Sequence, residues 1–140
     1  MLLAQLESVD EVVRKRSKVT SAYQALYSPY VEKGCVTVPL VNQDAKLNHH
    51  AFFVIFDTEE NQQKYLSMLR KRNVHAYIGY VPLHSSSYGM SLGYSPDDCP
   101  VTEDVSKRIV RLPFYTELAE DGLAYCIEMM SDVMRDIYGD

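Results

Sequence analysis

The chain has 140 residues, of which 46% are hydrophobic and 24% charged, and this predicts one ordinary globular domain. Its formal net charge of −5 disfavours general binding to nucleic acid or to an anionic membrane surface, because both need a basic face. No apolar run approaches a membrane span, and the N-terminus does not resemble a secretory signal. Three widely spaced cysteines lack zinc-site spacing, so we expect reduced thiols in a cytoplasmic protein.

The first predicted element is one long helix over residues 2–28. This stretch contains no glycine or proline, and apolar or long side chains recur at helical spacing along two faces. We expect the helix to end at Ser28, because the residue before Pro29 avoids helical backbone angles. At 1.5 Å per residue such a helix is roughly 40 Å long, about the width of a domain of this size. Its two apolar faces predict two contacts, of which only one need lie in this chain.

Aromatic and β-branched runs predict four strands, and the segments between them predict helices. The strands are expected at 36–38, 49–56, 74–80 and 109–112, and the helices at 57–72, at 101–107 and after Thr116. The run at 49–56 is typical of a central strand, and 36–38 of an edge strand. Residues 81–100 are expected to be a long loop, and Asp57 and Thr116 to cap helices. With so few helices, we predict an α+β fold in which a small, mainly antiparallel or mixed sheet carries helices on one face.

Tyr80 and His84 flank Val81-Pro82-Leu83 at the end of the strand predicted at 74–80. Proline ends the strand ladder, so the following side chains leave the sheet in fixed directions. A phenol and an imidazole can both bind a polar ligand, and we expect these two to point at one place. The alternative is a structural role for both, with Tyr80 as a strand-end aromatic and His84 within a turn.

Other catalytic patterns are weaker. His49 and His50 are neighbours on a predicted strand and would face opposite sides, which disfavours a shared metal ion; we expect one to pack and the other to be exposed. The serines after His84 lack a strained G-x-S-x-G elbow and an acid that would orient the histidine, which disfavours a hydrolase. No glycine-rich phosphate loop occurs. The sequence therefore predicts neither a catalytic residue nor a metal site.

Three blocks of this sequence resemble a known family. They are Asn48–Ile55, Ala76–Ser86 and Arg111–Leu118. Together with the opening helix, they resemble the C-terminal part of the DegT/DnrJ/EryC1 family of PLP-dependent nucleotide-sugar aminotransferases. The resemblance is strongest to the dTDP-4-amino-4,6-dideoxygalactose transaminases of cell-surface polysaccharide synthesis, and it covers nearly the whole chain. Gly79 departs from it, because similar family members often carry a histidine there.

The resemblance implies a linking helix at residues 1–30 and a small α/β domain at 31–140, like the small domain of fold-type I aminotransferases. In the family, the lysine that binds PLP lies in a large N-terminal domain, and the lysines of this chain do not match its context. The chain alone is therefore expected to bind no cofactor and to be catalytically incomplete, with PLP present in the complete enzyme.

The resemblance also implies that Tyr80 and His84, together with Ser85 and His50, contact a nucleotide-sugar in positioning roles. The expected protein partners are a PLP-binding large domain and, through the exposed face of helix 2–28, a second copy of the chain. The alternative function is a non-catalytic module that binds a nucleotide-sugar or only dimerises.

Overall fold

A computed structural model describes residues 6–40 and 44–139. Within these ranges the chain forms six helices, one 3-10 turn and four short strands. The helices are α1 (Val9–Glu32), α2 (Glu59–Lys71), α3 (Ser87–Ser91), α4 (Pro100–Arg108), α5 (Leu118–Asp121) and α6 (Leu123–Tyr138), with the 3-10 turn at Pro96–Asp98. The strands are β1 (Val36–Thr37), β2 (Phe53–Phe56), β3 (Tyr77–Ile78) and β4 (Ile109–Arg111).

The four strands form one sheet in the order β1-β2-β4-β3, and every neighbouring pair is antiparallel. The predicted α+β class is confirmed, as are the central position of β2 and the edge position of β1. Val54 lies opposite Val110, and both are fully buried. This inner face of the sheet carries α1, α2 and α6, whose apolar side chains complete one core cluster. We call the opposite face, which includes Phe53, Tyr77 and Arg111, the outer face.

Tyrosines on α1 anchor the core. Tyr23 and Tyr27 are fully buried, and the ring of Tyr23 lies 5.4 Å from that of Phe52, centroid to centroid. The Tyr23 hydroxyl donates to the carbonyl of Pro113 at 2.7 Å, and the Tyr27 hydroxyl hydrogen-bonds to that of Tyr65 on α2. Burial raises the pKa of both α1 hydroxyls, so both stay protonated and can donate. These bonds satisfy the only polar atoms of otherwise apolar rings.

The predicted end of the first helix is wrong, because α1 continues through Pro29 to Glu32. The proline removes one backbone hydrogen bond near the end of the helix, where its loss is offset by packing. Tyr30 is buried, and its ring lies 6.1 Å from that of Tyr138 on α6. The carbonyl of Pro29 still accepts from the N–H of Lys33 at 3.2 Å. Residues 2–5 of the predicted helix lie outside the described residues.

Both predicted helix caps are also wrong. Thr58 caps α2, because its hydroxyl accepts from the N–H of Asn61 at 3.1 Å, and Asp57 instead accepts from the N–H of Thr58 at 2.8 Å. Thr116 accepts from Arg16 Nε at 3.3 Å and is separated from α6 by the short helix α5. A hydroxyl or carboxylate beside a helix start has several donors within reach, and the sequence does not rank them.

The segments around β3 also differ from prediction. β2 begins at Phe53 and not at His49, whose φ of 46° is incompatible with an extended backbone. β3 keeps only two of the seven residues expected at 74–80. The supposed loop at 81–100 contains α3 and the 3-10 turn. Ser86 caps α3 by accepting from the N–H of Gly89 at 3.1 Å, a signal hidden in the serine-rich composition.

Candidate functional site

Two clefts open beside β3 and β4. We call the first, of about 650 Å³, the polar cleft, because Asn73, His75 and Tyr115 add polar groups to its largely apolar lining. We call the second, of about 770 Å³, the apolar cleft; it lies between the outer face and α4. Most of its lining is apolar: Phe53, Val81, Pro82, Leu83, Val101, Val105 and Ile109. Five residues line both clefts: His50, Ala51, Gly79, Tyr80 and Arg111.

Arg111 is the charged residue at the junction of the clefts. Cross-strand pairing holds it between Phe53 of β2 and Tyr77 of β3. Its guanidinium carbon lies 5.4 Å from the ring centroid of Tyr80, a cation–π distance, and the side chain is half-buried. Within residues 6–40 and 44–139 no carboxylate forms an ion pair with it. A half-buried arginine without a counter-charge is suited to bind a carboxylate or phosphate through two parallel hydrogen bonds.

Sequence reasoning did not identify Arg111 as a site residue. The sequence does contain a signal, because Arg111 is a charged residue within the apolar run Ile109-Val110-Arg111-Leu112. Charged side chains are rarely buried unless they are paired with another group. The structure adds what the sequence lacks, the position of Arg111 beside Tyr80.

The two neighbouring histidines separate as predicted, with one packed and one exposed. His49 is half-buried, and its Nδ1 lies 3.0 Å from the hydroxyl of Thr20 on α1. His50 is exposed and lines both clefts. Tyr80 is 84% exposed and lines them too. The structure therefore brings together two of the predicted substrate contacts, His50 and Tyr80.

The other two predicted contacts, His84 and Ser85, line neither cleft. His84 Nε2 lies 3.2 Å from Glu103 Oε1 on α4, and these side chains are 11% and 20% exposed. The pair is at ion-pair distance but lacks hydrogen-bond geometry, so it is attractive only when the imidazole is protonated. Gly89 lies so close to the carbonyls of Leu83 and His84 that an added Cβ would sit 2.1 Å from the nearer oxygen. His84 therefore lies against α4, at the edge of this tight turn.

The clefts do not fit the covalent chemistry of PLP by themselves. That chemistry needs a lysine amine, and no lysine is among the described residues that line either cleft. Lys15 pairs with Glu120 at 2.8 Å, and Lys64 with Glu60 at 2.9 Å. Lys107 lines a separate cleft beside α2.

Two negative findings, on metal sites and on membrane spans, concern only the part of the chain that the structure describes. No cluster of three or more histidine, cysteine, aspartate or glutamate side chains is arranged to hold a metal ion. No helix there combines the length and hydropathy that a membrane span requires.

Comparison with known proteins places this geometry in a family. The model of the DegT/DnrJ/EryC1/StrS aminotransferase family matches residues 1–131. The chain belongs to this family. Among curated relatives, the spore coat polysaccharide biosynthesis protein SpsC of Bacillus subtilis is 23% identical over 138 residues, which are 95% of this chain and 35% of that protein. The dTDP-4-amino-4,6-dideoxy-D-glucose transaminase of Escherichia coli is 26% identical over 125 residues, 85% of this chain and 32% of that enzyme.

Solved structures of family members share the fold. A putative sugar aminotransferase of Streptococcus pneumoniae, Spr1654, matches with a TM-score of 0.82 and 17% identity, over 96% of this chain and 34% of that one. Helicobacter pylori PseC, an aminotransferase in pseudoaminic acid biosynthesis, matches with a TM-score of 0.79 and 18% identity, over 96% and 36%. The chain therefore spans about a third of the length of the family members that it matches.

Proposed function

We propose that this chain is the small domain of a PLP-dependent sugar aminotransferase and forms one wall of a nucleotide-sugar site. The observation that carries the proposal is Arg111, a cation that no described carboxylate pairs with and that lies beside Tyr80 in a chain of an aminotransferase family. In this role the guanidinium binds the diphosphate, and the exposed Tyr80 ring offers a surface for stacking. His50 adds a hydrogen-bonding group at the same junction. All three residues orient the ligand, and none is proposed to react with it.

His84 and Ser85 stay predictions as direct contacts. Their positions favour an indirect role, because the 83–89 turn fixes where Leu83 enters the apolar cleft. The finer assignment to a dTDP-4-amino-4,6-dideoxygalactose transaminase also stays a proposal. A role in cell-surface polysaccharide synthesis is supported by the name of SpsC, and a cytoplasmic location follows from the nucleotide-sugar substrate that we propose.

The proposed partner is a PLP-binding large domain, which would supply the lysine and the cofactor. Large apolar side chains between residues 77 and 101 are unusually exposed, and a patch of this kind indicates a contact surface. They include Tyr77, Ile78, Tyr80, Val81, Leu83, Tyr88, Met90, Leu92, Tyr94 and Val101, all at least 52% exposed. In this arrangement residues 1–30 form the linking helix and residues 31–140 the small domain.

Ligand binding tests the nucleotide-sugar site. We expect dTDP-glucose, titrated into the isotope-labelled chain, to shift the amide signals of Tyr80 and Arg111. Arg111→Ala should weaken binding roughly tenfold or more, because it removes charge-assisted hydrogen bonds. Arg70→Ala is the matched control, since it removes the same charge from an exposed position outside both clefts. Equal affinities of the two variants, or no shift at millimolar ligand, would contradict the proposal.

Reconstitution tests the partner. The chain is mixed with the PLP-binding large domain of a family member, expressed without its own small domain. We expect aminotransferase activity only in the mixture, and weaker association when Tyr88 and Tyr94 are changed to serine. A lysine-linked PLP absorbance band in the chain alone would overturn the claim that it is catalytically incomplete.

A second candidate function is favoured by the start of α1 and the residues just before it. Leu6 and Val9 are 59% and 45% exposed, so this end of the helix presents apolar surface to solvent. We infer that two copies can pair there, with or without a large domain. Sedimentation of the wild-type chain beside a Leu6→Glu/Val9→Glu variant measures this: a dimer that the variant converts to monomer supports the pairing, and identical masses reject it.

A further inference from the structure

A third cleft, of about 590 Å³, follows the free side of β3, the strand at the edge of the sheet. We call it the edge cleft; β3 supplies one of its walls, and α2 and the end of α4 supply the others. The wall on α2 runs from Glu59 to Arg70, which is roughly 17 Å at the helical rise per residue. A strand of about five residues has the same length, so an extended segment fits this cleft lengthwise.

The backbone of Ile78 is free to pair with such a segment. The N–H of Leu112 donates to the carbonyl of Phe52 at 3.1 Å, which fixes the pattern of backbone bonds between β2 and β4. Alternate residues of β4 direct their backbone groups toward β2, and the residues between them, which include Arg111, direct theirs toward β3. Tyr77, opposite Arg111, therefore bonds to β4, and the N–H and C=O of Ile78 point the other way. No described strand pairs with that side.

Two cations stand at the two ends of this free edge. Lys107 lies in the last turn of α4, and the antiparallel register puts that end of β4 beyond Ile78. Arg70 lies in the last turn of α2, where the N–H of Val74 donates to the carbonyl of Leu69 at 3.0 Å, so Arg70 stands where the chain leads into β3. Both cations are exposed, and neither forms an ion pair with a described carboxylate.

The edge cleft is positive in a chain that is negative as a whole. Its lining holds Arg70 and Lys107 but one acid, Glu59, whose carboxylate accepts from Gln63 Nε2 at 3.0 Å. The formal charge of the whole chain is −5. An acidic segment is therefore attracted to this cleft and repelled by most of the remaining surface. Leu66 adds apolar surface to the same lining.

We propose that the edge cleft binds an extended acidic segment of another protein, which adds a strand to β3. The backbone of the segment pairs with Ile78, a central apolar residue packs against Leu66, and acidic residues at either end meet Arg70 and Lys107. Because β3 offers few backbone bonds, the two charges decide which strand binds. This inference does not rest on the proposed function, since neither cation lines the polar cleft or the apolar cleft.

Peptide titration into the isotope-labelled chain tests this inference. The probe is the end-blocked peptide Glu-Thr-Val-Thr-Glu, and Lys-Thr-Val-Thr-Lys is its charge-reversed control. We expect only the acidic peptide to shift the amide signal of Ile78, and we expect its affinity to fall in about 1 M sodium chloride. A copy of the probe that is N-methylated at its three inner residues keeps both charges but cannot donate backbone hydrogen bonds, so it should not bind.

Charge variants test the two ends of the cleft. Arg70→Ala and Lys107→Ala should each raise the Kd of the acidic peptide roughly threefold, and the double variant roughly tenfold, since solvent screens exposed ion pairs. Lys18→Ala is the matched control, because it removes the same charge from an exposed position on α1 outside the edge cleft. All of these side chains are exposed, so the variants should fold, and their circular dichroism spectra check this.

The outcomes divide cleanly. A shift at Ile78 that needs the peptide N–H groups and both cations supports the inference. Equal binding of the N-methylated probe would mean attraction by charge without an added strand, and equal weakening by Lys18→Ala would mean attraction to the protein at large. Either result rejects the inference, as does the absence of any shift at millimolar probe.

Discussion

The tyrosines of the inner core and those of segment 77–101 are chemically identical but lie in opposite environments. Tyr27 and Tyr65 are fully buried and satisfy each other's hydroxyls. Tyr80 and Tyr88 are 84% and 74% exposed. The inner tyrosines stabilise the fold through burial, whereas the outer ones add little to it and leave their surface exposed. In this domain stability depends on the buried tyrosines, and the exposed ones remain available for the contacts that we propose.

Changing one tyrosine of each set to alanine should give the largest difference in the free energy of unfolding. We expect Tyr65→Ala to lower the free energy of unfolding by about 3–5 kcal/mol, because it opens a cavity and leaves the Tyr27 hydroxyl unpaired. Tyr88→Ala, the matched control, should stay within about 0.5 kcal/mol of wild type. Urea unfolding followed by circular dichroism measures both. A loss above about 2 kcal/mol for Tyr88→Ala would be roughly four times the range expected at an exposed position. It would contradict the division between buried tyrosines that stabilise the fold and exposed ones that do not.

A double-mutant cycle sharpens the account of the buried pair. Tyr27→Phe leaves the buried Tyr65 hydroxyl without its hydrogen-bond partner, so we expect a loss of about 1–3 kcal/mol. Tyr27→Phe/Tyr65→Phe removes both hydroxyls and should cost no more than either single change. Chemical denaturation of the four proteins gives the coupling energy. Additive losses would mean that the two hydroxyls do not depend on each other.

Tyr138 is partly buried, between the two sets of tyrosines, and changes at its hydrogen bond should have the smallest effect on stability. Its hydroxyl donates to Asp57 Oδ1 at 2.5 Å. Burial is the largest single influence on Asp57 and opposes its ionisation, but the hydrogen bonds from Tyr138, Asn61 and Thr58 together outweigh it, so the pKa of the carboxyl lies below its usual value. A lowered pKa stabilises the fold above the unfolded-state pKa of about 4, and this contribution is lost as the pH falls through the folded-state pKa.

The measurement for this site is the stability difference between wild type and Asp57→Asn. We expect a difference below about 1 kcal/mol at pH 7, since solvent screens this carboxylate, and its disappearance on acidification below about pH 4. Tyr138→Phe should reduce the same pH dependence. A difference that persists unchanged to pH 2 would exclude ionisation of Asp57 as its cause.

The parts of the fold that the sequence predicted are those where one signal dominates. The apolar run ending at Phe56 has no competing interpretation, and β2 is central as expected. The rule that a helix ends before a proline fails at Pro29. Burial of Tyr30 against Tyr138 of α6, more than 100 residues away in the chain, outweighs the one lost hydrogen bond. Within the site, Tyr80 could be predicted from its position at the end of a strand. Only the three-dimensional structure shows that His84 faces Glu103 and that Arg111 lies beside Tyr80.

The shortness of β3 has a consequence for the behaviour of the chain in solution. β3 is an edge strand of only two residues, Tyr77 and Ile78, which are 64% and 58% exposed, and no described strand pairs with its outer side. Its free N–H and C=O groups can template an added strand from another chain. Two residues offer too few backbone bonds for a durable pairing, so self-association through this edge should be weak and should grow with protein concentration. Covering this edge would thus protect the sheet from aggregation as well as complete the site.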